Sequence, residues 1–211
     1  MSMPPPVLTG RAPQRRRGKL RVAALMQAAA TAFAERGFDA ATMTEIAALA
    51  RAPIGSLYQF FPNKQALADA LLEQYAEHVE AALEEIAERA AGLSASALAD
   101  ALLGLIAGLR RETSAAFALL DAHSDWSARR AELRHMTRRQ IARILSARRP
   151  QLSSDLVEDM AVVLLYNMRA MAALKAEQGS EVKPGALTEL RDMTRFYLSN
   201  RLGDAAEAAE K

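Results

Sequence analysis

The spacing of the apolar residues restricts the fold of this chain more than any other feature. Apolar side chains recur every three or four residues along most of the chain, alanine is abundant, and β-branched residues are sparse. This period matches one face of an α-helix, whereas a half-buried strand would alternate every two residues. Because 51% of the 211 residues are apolar, such helices can bury a core. The pattern predicts an all-α fold of about nine helices.

Breaks in the N-terminal third predict two short helices after a longer one. The first helix covers 19–36 and ends at Gly37, a residue that favours helix C-termini. Thr42 and Glu45 have the spacing of a capping box, which begins a second helix. Pro53 cannot extend that helix but suits the first turn of a new one. The result is a helix, a three-residue turn and a helix, which is helix-turn-helix geometry.

Further breaks and caps predict the rest of the chain. Asn63 is placed to cap a long helix over 64–90, and the later helices are expected near 94–111, 113–122, 125–148, 153–178 and 185–202. The domain organisation follows: a disordered basic arm over 1–17, a helix-turn-helix domain over 18–63, a larger helical domain over 64–203 in which 64–90 is the connecting helix, and a tail over 204–211.

The charge of the chain is divided unevenly. Residues 1–64 contain nine Lys/Arg and three Asp/Glu, a net charge of +6, while the remainder carries a net charge of −4. A basic segment on an acidic body is typical of a nucleic-acid-binding protein with a separate second function. Basic arms also occur simply as solubility features, so charge alone leaves both interpretations open.

Several function classes find no support in the residues. The chain has no cysteine and no uncharged apolar run of membrane-spanning length, and an apolar signal core does not follow its start. These features favour a cytoplasmic protein without a membrane partner. It also lacks a glycine-rich phosphate loop, and its three histidines lack metal-ligand spacing. We therefore expect no enzyme, no cofactor and no metal site.

The segment between Pro53 and Pro62 predicts a helix that enters a DNA groove. Small leading residues let a helix backbone approach the bases, and hydroxyl or amide tips then bond base edges or phosphates. Leu57 and either Phe60 or Phe61 would hold this helix to the core. The residues expected to face outward are Ile54, Gly55, Ser56, Tyr58 and Gln59.

Phosphate contacts are expected on both sides of this helix. Tyr58 has a rigid ring with a hydroxyl donor, and Lys64 lies at the start of the following helix. Thr42 and Thr44 would lie beside the DNA backbone or groove edge. Aromatic residues at helical spacing are more often plain core, which is the competing interpretation of this segment.

The stretch "TMTEIAALARAPIGSLYQFFPNKQALADAL" resembles the N-terminal DNA-binding segment of TetR/AcrR-type transcriptional regulators. The resemblance covers about a quarter of the chain, residues 19–72. It implies an all-helical dimeric repressor whose first three helices bind DNA and whose longer C-terminal part binds a small molecule and dimerises. The positions that it aligns with DNA contacts are Thr42, Thr44, Ile54, Gly55, Ser56, Tyr58 and Lys64.

The turn departs from the family pattern. Arg51-Ala52-Pro53 stands where the family often has Gly-Val-Ser. A left-handed conformation costs a non-glycine residue roughly 1 kcal/mol, so Arg51 either strains the turn or gains a phosphate contact that offsets the cost. Apolar Ile54 would read a thymine methyl rather than form hydrogen bonds.

The C-terminal part is interpreted as a dimeric sensor. The helix over 153–178 is apolar on more than one face, and by the resemblance the last two helices pair across a two-fold axis into a homodimer. A cavity among the middle helices would bind the effector, although each proposed lining residue also suits a plain core. Those residues are Tyr75, Leu102, Phe117, Leu120, His123, Trp126, Tyr166, Asn167 and Met171.

We therefore predict a ligand-responsive DNA-binding transcriptional regulator. Its partners would be a palindromic double-stranded operator, a second copy of the chain and an unidentified small molecule that releases the DNA, as in a repressor. The alternative is a helical nucleic-acid-binding adaptor without a small-molecule effector.

Overall fold

The computed structural model describes residues 12–108, Leu119, 126–176 and 185–203, and the regular elements in these ranges are helices. A single 3₁₀ turn, Ala90–Gly92, follows the fourth helix. The α-helices are α1 (Ala12–Ala40), α2 (Met43–Leu49), α3 (Ile54–Phe60), α4 (Lys64–Arg89), α5 (Ala95–Gly108), α6 (Ser127–Arg148), α7 (Ser154–Ala176) and α8 (Gly185–Leu202). The all-α prediction is confirmed.

Helix α1 starts earlier than predicted. It begins at Ala12, so the expectation of a disordered arm is wrong for residues 12–17, and residues 1–11 lie outside the described part. Pro13 is tolerated in a first turn, and the following glutamine and arginines are good helix formers. Gly37 has φ 78°, so the regular helix stops there as predicted, and a short helical turn follows it.

The later helix boundaries agree with the sequence to within a few residues. Ser94 Oγ accepts from the Ala97 amide at 3.1 Å, and Ser153 Oγ accepts from the Leu156 amide at 3.4 Å, so a serine side chain caps the start of α5 and of α7. The helix predicted over 113–122 lies outside the described residues except for Leu119, which is buried. None of the described helices has the length and apolarity needed to cross a bilayer.

The core runs through both halves of the chain. Helices α1, α2 and α3 pack around Leu25, Phe33, Ile46 and Leu57, which are almost fully buried. Helix α4 contacts α1 on one side and α5 and α6 on the other. It therefore joins the N-terminal helices to the C-terminal ones, where α5 packs against both α7 and α8.

The apolar side chains of α2 and α3 do not all face inward. Leu49, the last residue of α2, is 53% exposed, whereas Ile46 and Ala47 of the same helix are buried. Of the two phenylalanines proposed as anchors, Phe61 is buried and Phe60 is partly exposed. Phe61 adopts extended backbone after α3, and this directs its ring to the core.

Candidate nucleic-acid interface

Helix α2 begins with the predicted capping box. The Glu45 amide donates to Thr42 Oγ1 at 3.2 Å, and the Thr42 amide donates to Glu45 Oε2 at 3.1 Å. Arg36 donates to the other carboxylate oxygen at 2.5 Å. Hydrogen bonds from the Thr42 hydroxyl and amide, helped by the charge of Arg36, lower the pKa of Glu45. The start of α2 is therefore tied to the end of α1.

Arg51 adopts the left-handed conformation that the sequence suggested. Its φ is 50°, the one positive value at a non-glycine residue in the described ranges. The Arg51 amide donates to Ala48 O and the Ala52 amide to Ala47 O, both at 3.0 Å. This is the Schellman arrangement, in which the left-handed position usually holds glycine. Arg51 is exposed, so its guanidinium extends into solvent beside the turn.

Helix α3 has one buried edge and one exposed face. Leu57 is completely buried, whereas Tyr58 is 50% exposed. Ser56 is half-buried beside the exposed face. The residues of the exposed face are Ile54, Gly55, Tyr58 and Gln59. The structure thus brings the predicted reading residues together on one surface, with Thr42 and Thr44 exposed on the neighbouring α2 end.

Gly55 is not required by the fold. Its φ is not positive, and a Cβ added there would meet no atom within 4 Å. The protein itself could therefore hold a larger residue at this position, and any need for glycine must come from a partner that approaches the backbone.

Lys64 lies at the start of α4, as predicted, but its ammonium bonds within the protein. Its Nζ donates to three carbonyls at the end of α1, those of Phe38 at 2.6 Å, Asp39 at 2.9 Å and Ala41 at 2.9 Å. The ammonium also lies 4.6 Å from the centroid of the Phe38 ring. An ammonium has three N–H donors, and these carbonyls use all three. In the protein without DNA, Lys64 therefore joins α4 to the end of α1, and its phosphate contact stays a prediction.

Arg21 is a candidate contact that the sequence analysis did not single out. It is an exposed residue of α1, and its Nη1 donates to Ser56 Oγ on α3 at 3.3 Å. A cation therefore lies directly beside the exposed face. Its position in the basic N-terminal segment indicated a possible DNA contact, but the sequence does not show which residues of α1 lie beside α3.

Six of the nine predicted effector-binding residues lie in the part of the chain that the structure describes. Phe117, Leu120 and His123 lie outside the described residues. Tyr75, Leu102 and Met171 are buried, and burial raises the pKa of the Tyr75 phenol. The remaining three residues have other positions, namely Trp126 at the start of α6 and Tyr166 and Asn167 on α7.

Two of these three residues form hydrogen bonds with other helices, and the third is exposed to solvent. Trp126 Nε1 donates to Asp69 Oδ1 on α4 at 2.9 Å, and its ring packs edge-on against Phe38. Asn167 Nδ2 donates to Thr194 Oγ1 on α8 at 3.1 Å. Tyr166 is 58% exposed, which corrects its assignment as a lining residue, because it lies on the outer face of α7.

A cavity is present between α5, α7 and α8. Its volume is 260 Å³, and Met171 contributes to its wall. The other lining residues are Asp100, Leu103, Gly104, Lys175, Arg191 and Arg195. Four of the seven lining residues carry charges, which the sequence analysis did not anticipate.

The outer faces of α7 and α8 carry large exposed apolar side chains. They are Val163, Tyr166, Met193 and Phe196, and we call this set the α7/α8 apolar surface. Phe196 is 73% exposed. Scattered apolar residues are normal on protein surfaces, but large ones grouped on two adjacent helices indicate an interaction site.

Comparisons with known proteins agree with this architecture. Residues 25–71 match the family model of the bacterial regulatory proteins, tetR family. The HTH-type transcriptional repressor KstR2 of Rhodococcus jostii (strain RHA1) is 38% identical over 79 residues. That match covers 37% of this chain and 38% of the length of the repressor.

Solved structures extend the similarity to nearly the whole chain. A transcriptional regulator from Aquifex aeolicus VF5 superimposes with a TM-score of 0.67 at 18% identity, over 86% of this chain and 99% of its own. A gamma-butyrolactone receptor (ArpA-like protein) gives a TM-score of 0.57 at 22% identity, over 88% and 99%. The family model matches most of α1, all of α2 and α3, and the beginning of α4, and the remaining helices share the fold of these regulators. Residues 25–71 are therefore similar to the DNA-binding segment of the tetR family of bacterial regulatory proteins, and the chain as a whole has the fold of the solved regulators.

Proposed function

We propose that the protein is a dimeric DNA-binding transcriptional regulator, a repressor whose hold on a palindromic operator is released by a small molecule. The observation that carries the proposal is the exposed face of α3, held by Leu57 and Phe61 and preceded by the Arg51 turn. Because the operator would lie on the bacterial chromosome, the protein would act in the cytoplasm. The similarity to the repressor KstR2 over 79 residues supports repression rather than activation.

The chemistry of the exposed face suits a major groove. A Cβ at Gly55 would meet nothing inside the protein, and a missing side chain at this position would let a DNA backbone or base edge approach closely. Tyr58 and Gln59 then supply hydrogen-bonding tips, and Ile54 supplies an apolar contact for a thymine methyl. Arg21 and Arg51 are cations on either side that would bind phosphates.

The α7/α8 apolar surface supports a homodimer. Burying Tyr166 and Phe196 against the same residues of a second copy would form a two-fold interface, in which one surface complements itself. Such a dimer gives two α3 helices, and binding to successive major grooves requires them to lie about 34–36 Å apart.

Release by a ligand is supported by one of the structural neighbours. The gamma-butyrolactone receptor has the same fold, and its name describes a small-molecule receptor. A ligand that binds better to a dimer with another helix spacing would lower the DNA-bound population.

The test is a titration of a fluorescent palindromic fragment from the DNA that flanks the gene. Tyr58→Ala should weaken binding about tenfold or more, since it removes a ring and a hydroxyl from the reading face. Tyr58→Phe is the matched control for the hydroxyl alone. A scrambled fragment of equal length measures non-specific binding.

Two outcomes would contradict the assignment. If Tyr58→Ala binds the palindrome as the wild type does, α3 is not the reading helix. If palindrome and scrambled fragment bind equally at physiological salt, the protein is a general nucleic-acid binder, as in the adaptor alternative.

A further inference from the structure

The cavity between α5, α7 and α8 has a charged rim on an apolar floor. Leu103 and Met171 form the floor and are almost fully buried. Lys175, Arg191 and Arg195 bring three cations to a wall that holds one carboxylate, that of Asp100. Gly104 leaves the wall open, because a Cβ there would meet no atom within 4 Å.

The single carboxylate is engaged mainly by one of the arginines. Arg195 Nε and Nη2 donate to the two Asp100 oxygens at 2.9 Å and 2.6 Å, a bidentate pair. These hydrogen bonds raise the pKa of the Arg195 guanidinium. Arg191 Nε lies 3.9 Å from Asp100 Oδ1, beyond hydrogen-bond distance. Asp100 is thus bonded by Arg195, and it leaves the guanidinium donors of Arg191 to a ligand in the cavity.

We propose that this cavity binds a small organic anion, a carboxylate on a short apolar chain. Arg191 would hold the carboxylate, and Leu103 and Met171 would contact the chain. The volume of 260 Å³ is a little below the ~300 Å³ at the lower end of small-molecule sites, which restricts the ligand to a short one.

The site is also placed to affect the dimer, and this part of the inference rests on the proposed function. The Asp100–Arg195 pair joins α5 to α8, and α8 carries Met193 and Phe196 of the α7/α8 apolar surface. An anion that competes with Asp100 for the arginines would change the α5–α8 contact. Binding would then favour one helix spacing over another.

Hexanoate is the probe, measured by calorimetry on the DNA-free protein. We expect one site per chain, and Arg191→Met should weaken hexanoate binding roughly tenfold or more, the usual effect of losing a charge-assisted hydrogen bond. Arg139→Met is the matched control, since Arg139 is an exposed arginine of α6 outside the cavity. Hexanamide has the same chain without the charge and should not bind at equal concentrations.

A second pair of variants tests the location without removing a charge. Gly104→Leu should fill the cavity and abolish hexanoate binding, whereas Gly104→Ala should retain it, because its Cβ enters open space. The proposal is overturned if the wild type does not bind hexanoate, if hexanamide binds as tightly, or if Arg191→Met or Gly104→Leu binds like the wild type.

The DNA titration separates this inference from the proposed function. If the wild type binds the palindrome specifically but does not bind hexanoate, only the proposal of the anion site is overturned. If the wild type binds hexanoate but shows no specific DNA affinity, the regulatory role is overturned and the anion site is retained.

Discussion

Arg51 combines a structural cost with a position beside the proposed DNA face. Its left-handed backbone closes the turn between α2 and α3, and its side chain is exposed. A glycine at this position would avoid the cost of roughly 1 kcal/mol. We therefore expect that the contribution of Arg51 to DNA binding outweighs the strain of its backbone in the free protein.

Substitution of Arg51 should separate stability from DNA affinity. Arg51→Gly relieves the strain but adds freedom to the unfolded chain, so the free energy of unfolding should rise by up to about 1 kcal/mol. Arg51→Ala keeps the Cβ and removes the guanidinium, so its stability should be close to that of the wild type. Both variants should bind the palindrome more weakly, and the slope of log affinity against log salt should fall by about 1. Urea unfolding and DNA titrations at several salt concentrations measure these quantities.

An unchanged salt slope in Arg51→Ala would show that the guanidinium does not contact phosphate. Arg51 would then be only a strained turn residue, and Arg51→Gly would be a stabilising change without effect on binding.

The sequence predicted local features at single residues and failed where a side chain reaches another helix. The Thr42–Glu45 capping box and the left-handed Arg51 depend on neighbours within a few positions, and both are present. Lys64 bonds carbonyls 23 to 26 positions earlier, and Arg21 bonds Ser56, 35 positions later. Such contacts depend on how helices pack, which a single sequence does not specify.

Among the elements, the junction of α1 with α4 depends on a partly buried network around Phe38. Lys64 caps the last carbonyls after α1, and Trp126 at the start of α6 packs edge-on against Phe38. Trp126 also donates to Asp69 on α4. Three helices from both halves of the chain therefore meet here, so this junction connects the proposed DNA-binding helices to the C-terminal ones.

Lys64→Met should destabilise the fold without removing a DNA contact. The change keeps most of the aliphatic stem but leaves the three carbonyls without their donor, so we expect a loss of about 1–3 kcal/mol in the free energy of unfolding. Thermal and urea unfolding measure the loss, and Lys19→Met, at an exposed position of α1, is the matched control.

DNA titrations below the unfolding temperature decide between the two roles of Lys64. The internal role predicts an unchanged salt slope in the folded variant, whereas a phosphate contact predicts a slope lower by about 1. A stable variant with the lower slope would restore the original assignment of Lys64 to DNA.

Helix boundaries were easier to predict than helix faces. Ser94, Ser153 and Asn63 mark helix starts because their side chains bond backbone amides three residues later. Tyr166 and Leu49 follow apolar periodicity, yet both are exposed. On α7, which is apolar on more than one side, periodicity does not distinguish a face buried within the chain from one that remains uncovered.

At the scale of the whole molecule, charge and apolar surface are separated. The exposed cations Arg21 and Arg51 lie with α3, while the α7/α8 apolar surface lies on the last two helices. This separation allows a dimer to form through one end of the chain while the other end binds DNA. The sequence analysis anticipated both functions from the charge division and from the several apolar faces of α7.

Phe196→Glu should disrupt the proposed dimer while the subunit stays folded. Phe196 is 73% exposed in the single chain, so the new carboxylate remains solvated, but two copies would face each other near a two-fold axis. A loss of a central aromatic contact costs about 2 kcal/mol or more, which raises the dimer dissociation constant roughly thirtyfold. Sedimentation at micromolar concentration should then detect monomers. Ala131→Glu adds the same charge to an exposed position of α6 and should remain dimeric.

The DNA affinity of the same variants connects the interface to the reading helices. A monomer keeps its α3 face, so Phe196→Glu should bind an isolated half-site as well as the wild type does. It should lose the extra affinity for the full palindrome, because the second α3 is no longer tethered nearby. If Phe196→Glu remains dimeric, the α7/α8 apolar surface is not the interface. If it is monomeric and still binds the palindrome like the wild type, dimerisation does not set the spacing of the two reading helices.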